Sequence, residues 1–142
     1  MQVGKNFVLQ EFIDPDTYKK WGDKSIWFID PKIIQIAQLL RDKSGRAVTI
    51  NNWSVGGSYK LSGLRPLDTT IGAKLSQHKF GRAIDVKIQG YTPEQVHDLI
   101  KNNWIEFKEI GLTTLEDLSL TKTWTHISCQ WTNKEELLIV GI

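Results

Sequence analysis

The segment Ser76-Gln77-His78-Lys79-Phe80-Gly81-Arg82-Ala83-Ile84-Asp85 sets an imidazole and a carboxylate seven residues apart, and a further imidazole follows at His126. Two neutral imidazoles and one carboxylate are a donor set for zinc. Hydrolytic zinc sites have three such protein ligands and leave one position for a water whose pKa the metal lowers to roughly 7. An ion held by one carboxylate keeps net positive charge and stays a Lewis acid. Fully extended, seven residues span about 23 Å, so the chain has to double back between His78 and Asp85. Gly81 is the residue able to take the positive φ that such a turn needs.

After the turn, Ala83-Ile84-Asp85-Val86-Lys87-Ile88 alternates as a strand, with Ile84, Val86 and Ile88 on one face and Ala83 and Asp85 on the other. Thr123-Trp124-Thr125-His126-Ile127-Ser128-Cys129 is a second β-prone run, in which Trp124, His126 and Ser128 share a face. If both strands join one antiparallel sheet, Asp85 and His126 point into a common cleft. Taken alone, a strand histidine is more often a half-buried ring with a hydrogen bond than a ligand. The upstream motif is what raises His126 above that. The remaining histidine, His97, lies beside the apolar stripe of a helix that Thr92 caps, Pro93 opens and Gln95 completes as a capping box; it is expected at the surface.

The S-x-H-x-x-G-x-A-x-D pattern, Ser62-Gly63-Leu64-Arg65-Pro66 upstream of it and the W-x-H of Trp124 to His126 together resemble the zinc D-Ala-D-Ala carboxypeptidase and peptidoglycan endopeptidase family, whose metal fold extends to hedgehog signalling domains. The five fixed positions of the first motif would coincide by chance on the order of once in ten thousand chains of this length. Asn6-Phe7 with Glu11-Phe12 resembles the F-x-x-x-E-F of the phage and bacterial branch. The resemblance covers about residues 60 to 130. It implies that His78, Asp85 and His126 hold one zinc ion and that Arg65 binds a substrate carboxylate or steadies the oxyanion, a task suited to its planar, always-charged fork. Ser76 and Trp124 would contact substrate. The resemblance also leaves gaps. Relatives place an acid three residues before the last histidine or two after it, where this chain has Thr123 and Ser128. Glu116 is the expected general base, with Asp117 as the alternative, although either could be an ordinary solvated acid. Arg65 could likewise pair only with a surface carboxylate. The implied function is hydrolysis of stem-peptide bonds in bacterial peptidoglycan by a phage or prophage endolysin or virion-associated hydrolase. The competing expectation is a non-catalytic phage structural or wall-binding protein that keeps the metallopeptidase fold.

These residues need a scaffold, and 142 residues, 40% hydrophobic and 24% charged, suit one domain over residues 1–142. Asp14-Pro15 opens a short helix by the cap-then-proline rule, and a longer helix begins near Pro31 and ends at Ser44-Gly45. A strand over Arg46–Asn51 and a loop over Asn52–Tyr59 follow, with Trp53, Tyr59 and Trp124 placed to line a cleft. The helix from Thr92 continues with a bend to Ile110, and strands are expected near 115 to 120, 123 to 130 and 135 to 140. The sum is α+β, with helices packed on a mainly antiparallel sheet that carries the metal ligands. Most of the 6 tryptophans are expected in the core. A single cysteine, Cys129, excludes an internal disulfide and should pack as a small hydrophobe. A net charge of +2 from 18 basic and 16 acidic residues is too balanced to point to nucleic acid. No apolar run approaches the length of a membrane span. Met1-Gln2-Val3-Gly4-Lys5 lacks the pattern of a secretory signal, so the expectation is a chain made in the cytoplasm that reaches the wall after release or within a virion.

Overall fold

The computed structural model describes residues 1–141. Three of its α-helices begin where a side chain satisfies an orphan amide of the first turn. Asp14 accepts from Thr17 N at the head of α1 (Pro15–Trp21), and Asp30 accepts from Lys32 N at the head of α2 (Pro31–Ser44). Gly45, left-handed at φ +65°, ends α2 as its position after Ser44 predicts. Thr92 and Gln95 form the expected capping box at the start of α3 (Pro93–Asn102). The bend anticipated in this segment is a break: Asn103 turns out of helical geometry, its side-chain amide donates to Leu99 O at 2.8 Å, and α4 (Trp104–Ile110) starts anew.

Five short strands form one sheet: β1 (Val48–Thr49), β2 (Ala83–Ile88), β3 (Thr114–Glu116), β4 (Thr125–Ser128) and β5 (Leu138–Val140), in the order β1-β2-β4-β3-β5. β2 spans the whole of its expected run, whereas β1, β3, β4 and β5 occur near where expected but are shorter. The expectation of a mainly antiparallel sheet is corrected to a mixed one, because β5 runs parallel to β3. β5 runs opposite to β4, as a hairpin partner would, but the connection over residues 129–137 carries it past β3 to pair on the outer edge of that strand. No helix is long and apolar enough to cross a membrane among the described residues.

One apolar cluster fills the space between sheet and helices. Ile84, Val86 and Ile88 lie on the buried face of β2 as the alternation predicts, against Ile33, Ile36, Ala37 and Leu40 of α2 and Ile100 and Phe107 of α3 and α4. Phe7 and Phe12 of the N-terminal F-x-x-x-E-F pack edge to face at 5.6 Å within it, while the Glu11 carboxylate accepts from Val8 N at 2.8 Å. Cys129 is buried as expected, and burial first, with Asp30 beside it, pushes its thiol up to about 12.

Two expectations about burial fail. His97 is 3% exposed rather than on the surface, because the stripe of α3 is wide enough to take it in beside Val96 and Ile100, and its Nε2 has no protein partner. None of the tryptophans is fully buried: Trp21, Trp27 and Trp131 are exposed, and Trp53, Trp104 and Trp124 are half-buried. The core is small and filled by Ile, Leu and Phe, so the largest rings remain at its margin.

Candidate metal centre

His78 sits in a 3₁₀ turn, Gln77–Phe80, whose first amides are capped by Ser76: the Ser76 hydroxyl accepts from His78 N at 3.3 Å. Gly81 closes the turn in the left-handed region at φ +67°, and its α-carbon packs so near Phe28 that a β-carbon would lie 1.9 Å from the Phe28 carbonyl oxygen. This is the reversal that the His78 to Asp85 spacing demands. Arg82 then leads into β2, and Asp85 stands directly across from His126 in the β2/β4 register. Leu115 of β3 pairs with Ile127 of β4, so the same register continued by one residue sets Glu116 across from His126 on its other side. Asp85, His126 and Glu116 therefore form a row over three adjacent strands, with neighbouring α-carbons about 5 Å apart. The residues between them in sequence, Ile84, Leu115 and Ile127, are all buried in the core.

Three donor atoms meet at the end of this row. His78 Nε2 lies 3.2 Å from Asp85 Oδ1 and 3.2 Å from His126 Nδ1, and His126 Nδ1 lies 2.9 Å from Asp85 Oδ1. Tetrahedral zinc with bonds near 2.0–2.1 Å holds its ligand atoms about 3.3 Å apart, so the triangle already has nearly the required size. The proton inventory points the same way. His78 Nδ1 donates to Gly63 O at 2.8 Å, which fixes its tautomer and leaves a lone pair on Nε2. With the His126 Nδ1–H given to Asp85, a neutral His78 Nε2 faces the Asp85 oxygen lone pair to lone pair. A cation at the centre satisfies all three atoms at once. Two imidazoles, one carboxylate and an outer carbonyl orienting the first imidazole could hold a metal ion, and the ring of His78 is 2% exposed while Asp85 and His126 open on the cleft at 14% and 16%.

The groups around this triangle reinforce it. Burial alone would raise the Asp85 carboxyl, but the hydrogen bond from His126 and the close approach of both imidazoles hold it well below the usual carboxylate range. Arg65 donates from Nη2 to Asp85 Oδ2 at 3.1 Å and from Nε to Leu61 O at 2.7 Å. Burial pulls its guanidinium below the ordinary value, opposed by Asp85 and Glu116; it remains charged at neutral pH. The arginine is thus not a loose surface residue paired by accident. It bridges the carboxylate ligand and the cleft.

Arg65, Ser76, His78, Asp85, Glu116, Trp124 and His126, all expected at the site, line one cleft of about 430 Å³. A second compartment of about 490 Å³ opens on the far side of Arg65 and Asp85 and shares Trp124 with the first. Tyr59 lines it as anticipated. Trp53 lines neither compartment: its indole N–H donates to Ile13 O at 2.8 Å and its ring lies beside Tyr18. Thr123 faces the second compartment, away from the ligand triangle. Ser128 is fully buried and lines neither compartment.

Sequence reasoning missed the parts that hold these residues in place. Gly63 approaches Phe12 so closely that a β-carbon would lie 2.4 Å from its carbonyl oxygen, and this closeness places the Gly63 carbonyl against His78. Buried Asn51 donates to Ile13 O at 3.0 Å and accepts from Ser62 N at 2.8 Å, while Ser62 O accepts from Asp85 N at 2.7 Å. The one available signal was an amide closing the mostly apolar run Ala47 to Ile50. Compared with models of protein families, with curated proteins and with solved structures, the chain matches none of them, so a functional assignment rests on the convergence of His78, Asp85 and His126 and on the cleft above it.

Proposed function

We propose that the chain is a zinc-dependent peptidase that hydrolyses stem-peptide bonds of bacterial peptidoglycan, with the fold of the D-Ala-D-Ala carboxypeptidase and endopeptidase family and a phage or prophage role as endolysin or virion-associated hydrolase. The reading is carried by one observation: three ligand atoms, no two more than 3.2 Å apart, lie at the floor of a cleft that also holds Arg65 and Glu116. The substrate class and the place of action, on the wall after release or from within a virion, come from the S-G-x-R, S-x-H-x-x-G-x-A-x-D and W-x-H motifs.

Bound zinc supplies Lewis acidity and a water acidified to a pKa of roughly 7. The chain's own residues do the rest. His78, Asp85 and His126 hold the ion, with Gly63 O fixing the ring of His78. Glu116, next in the row after His126, is half-buried and forms no ion pair among the described residues, so its carboxylate is free to accept the proton of the attacking water. As the water oxygen bonds to the carbonyl carbon and the C–N bond breaks, the same carboxyl returns that proton to the leaving nitrogen. Arg65 meets the negative charge developing on the carbonyl oxygen. Ser76 and Trp124 border the bound peptide.

Release of muropeptides from purified sacculi by wild type, His78→Ala and Glu116→Gln tests this. Glu116→Gln should keep its zinc and lose about 10²- to 10⁴-fold in rate, and His78→Ala should lose both. Full activity in Glu116→Gln removes Glu116 as the base. Zinc retained by wild type with no turnover on any wall type favours the non-catalytic wall-binding or virion structural protein instead.

A further inference from the structure

We infer that the second compartment of the cleft is an anion subsite, with Lys87 and Tyr59 as its anchor, that holds a carboxylate of the peptide lying across the metal centre. The identity of the ligand as a stem peptide rests on the function proposed above; the anion chemistry rests on the residues themselves. Lys87 follows Asp85 by two positions on β2, so it shares the cleft face about 6.6 Å further along the strand. Its ammonium donates to the Tyr59 hydroxyl at 2.7 Å and stands 4.2 Å from the centre of that ring. No carboxylate lies within ion-pair distance of it among the described residues.

Charge in the lining is one-sided. Lys60, Arg65 and Lys87 face this compartment, and its sole acid, Asp85, is already engaged by Arg65, His78 and His126. Lys87 therefore has no acid left to pair with in this compartment. The first compartment differs, for Glu116 faces it and Ile71, Leu75 and Val140 form an apolar wall. A peptide spanning both meets positive charge on one side of Asp85 and an acid with apolar surface on the other. The local geometry suits a carboxylate in particular. Tyr59 uses its oxygen to accept from Lys87, so its own O–H points elsewhere, and the ammonium keeps two N–H groups. Donors held together by each other bind an anion with little further ordering.

A stem peptide offers two sources of that group, its C-terminal carboxylate and the carboxylate of an acidic residue within it. NMR titration of the intact protein with synthetic D-Ala-D-Ala-terminated stem peptides separates them: a free acid, its C-terminal amide, and a version amidated at the internal acidic residue. For wild type, amidating the carboxylate that Lys87 holds should weaken binding about tenfold. Lys87→Met should weaken the free acid by a similar factor and abolish the difference, Tyr59→Phe should reduce it, and Lys87→Arg should retain it. The proposal is overturned if wild type binds none of these peptides, if it binds all three alike, or if Lys87→Met still discriminates. Binding is read without turnover. Discrimination without hydrolysis by the zinc-loaded protein would sink the peptidase reading and leave the subsite standing, whereas hydrolysis without discrimination would do the reverse.

Discussion

Gly63→Ala should damage the metal centre from outside the ligand set, and its size can be worked from the contacts. A β-carbon on Gly63 would lie 2.4 Å from Phe12 O, 2.7 Å from Phe12 C and 2.9 Å from Phe12 Cα, all of them backbone atoms that cannot swing aside. Gly63 is not among the residues with positive φ, so the penalty is steric alone. Restoring ordinary contact requires the two segments to part by roughly 1 Å. That shift would stretch two hydrogen bonds of 2.8 Å, Leu64 N–H to Phe12 O and His78 Nδ1–H to Gly63 O, beyond useful length. At about 1 kcal/mol for each bond and about 1–3 kcal/mol for the forced displacement, the variant should lose about 3–5 kcal/mol of stability. Losing the carbonyl that orients His78 should also weaken zinc binding about 10- to 100-fold. Urea denaturation of the zinc-free protein measures the first effect, and competition with a chelating indicator the second. A Gly63→Ala protein within about 0.5 kcal/mol of wild type and with unchanged zinc affinity would refute the reasoning.

Asn51→Ala removes the acceptor of Ser62 N–H at a buried site, while Ile13 O keeps its bond from Trp53; thermal or urea unfolding should show a loss of about 1–3 kcal/mol, and an unchanged midpoint would contradict the bridging role. His97 supplies a pH dependence. Burial, with Lys101 next in weight, lowers its folded pKa against the opposing pull of Asp117 and Asp98, so the unfolded chain binds the proton more readily. Stability from this residue is complete above about 6.5 and falls as pH drops through the unfolded value toward the folded one. His97→Leu should therefore gain relative to wild type between about pH 7.5 and pH 5.5 in urea titrations, and parallel curves for the two proteins would show that His97 carries no such linkage.

Much of the frame can be read from local chemistry. Asp14-Pro15, Asp30-Pro31 and Thr92-Pro93 start helices because cap and proline act within one turn, and Gly81 reverses the chain because the ligand spacing demands it. The alternation in β2 puts Ile84 and Val86 in the core and Asp85 in the cleft for the same local reason. What escaped depends on partners distant in sequence. The parallel pairing of β5 is set by the course of the chain after β4, and the burial of His97 by what packs on α3. Tryptophan placement followed from the space the core leaves, which composition does not reveal. Gly63 against Phe12, Asn51 between Ile13 and Ser62, and Lys87 on Tyr59 join residues that no short motif links.

The site itself was legible further than the fold, since a donor set must converge whatever the sheet around it looks like. His78, Asp85 and His126 do converge, and Glu116 joins their row by register alone. Thr123 lies off the ligand triangle on the other compartment, and Glu116 is the acid of the first besides Asp85.

Zinc content by elemental analysis, on protein purified without a polyhistidine tag and dialysed against metal-free buffer, tests the centre most directly. One zinc ion per chain in wild type, falling to a trace in His78→Ala and in His126→Ala, is the predicted result. Wild type that retains no zinc, or either alanine variant that retains as much as wild type, would contradict it.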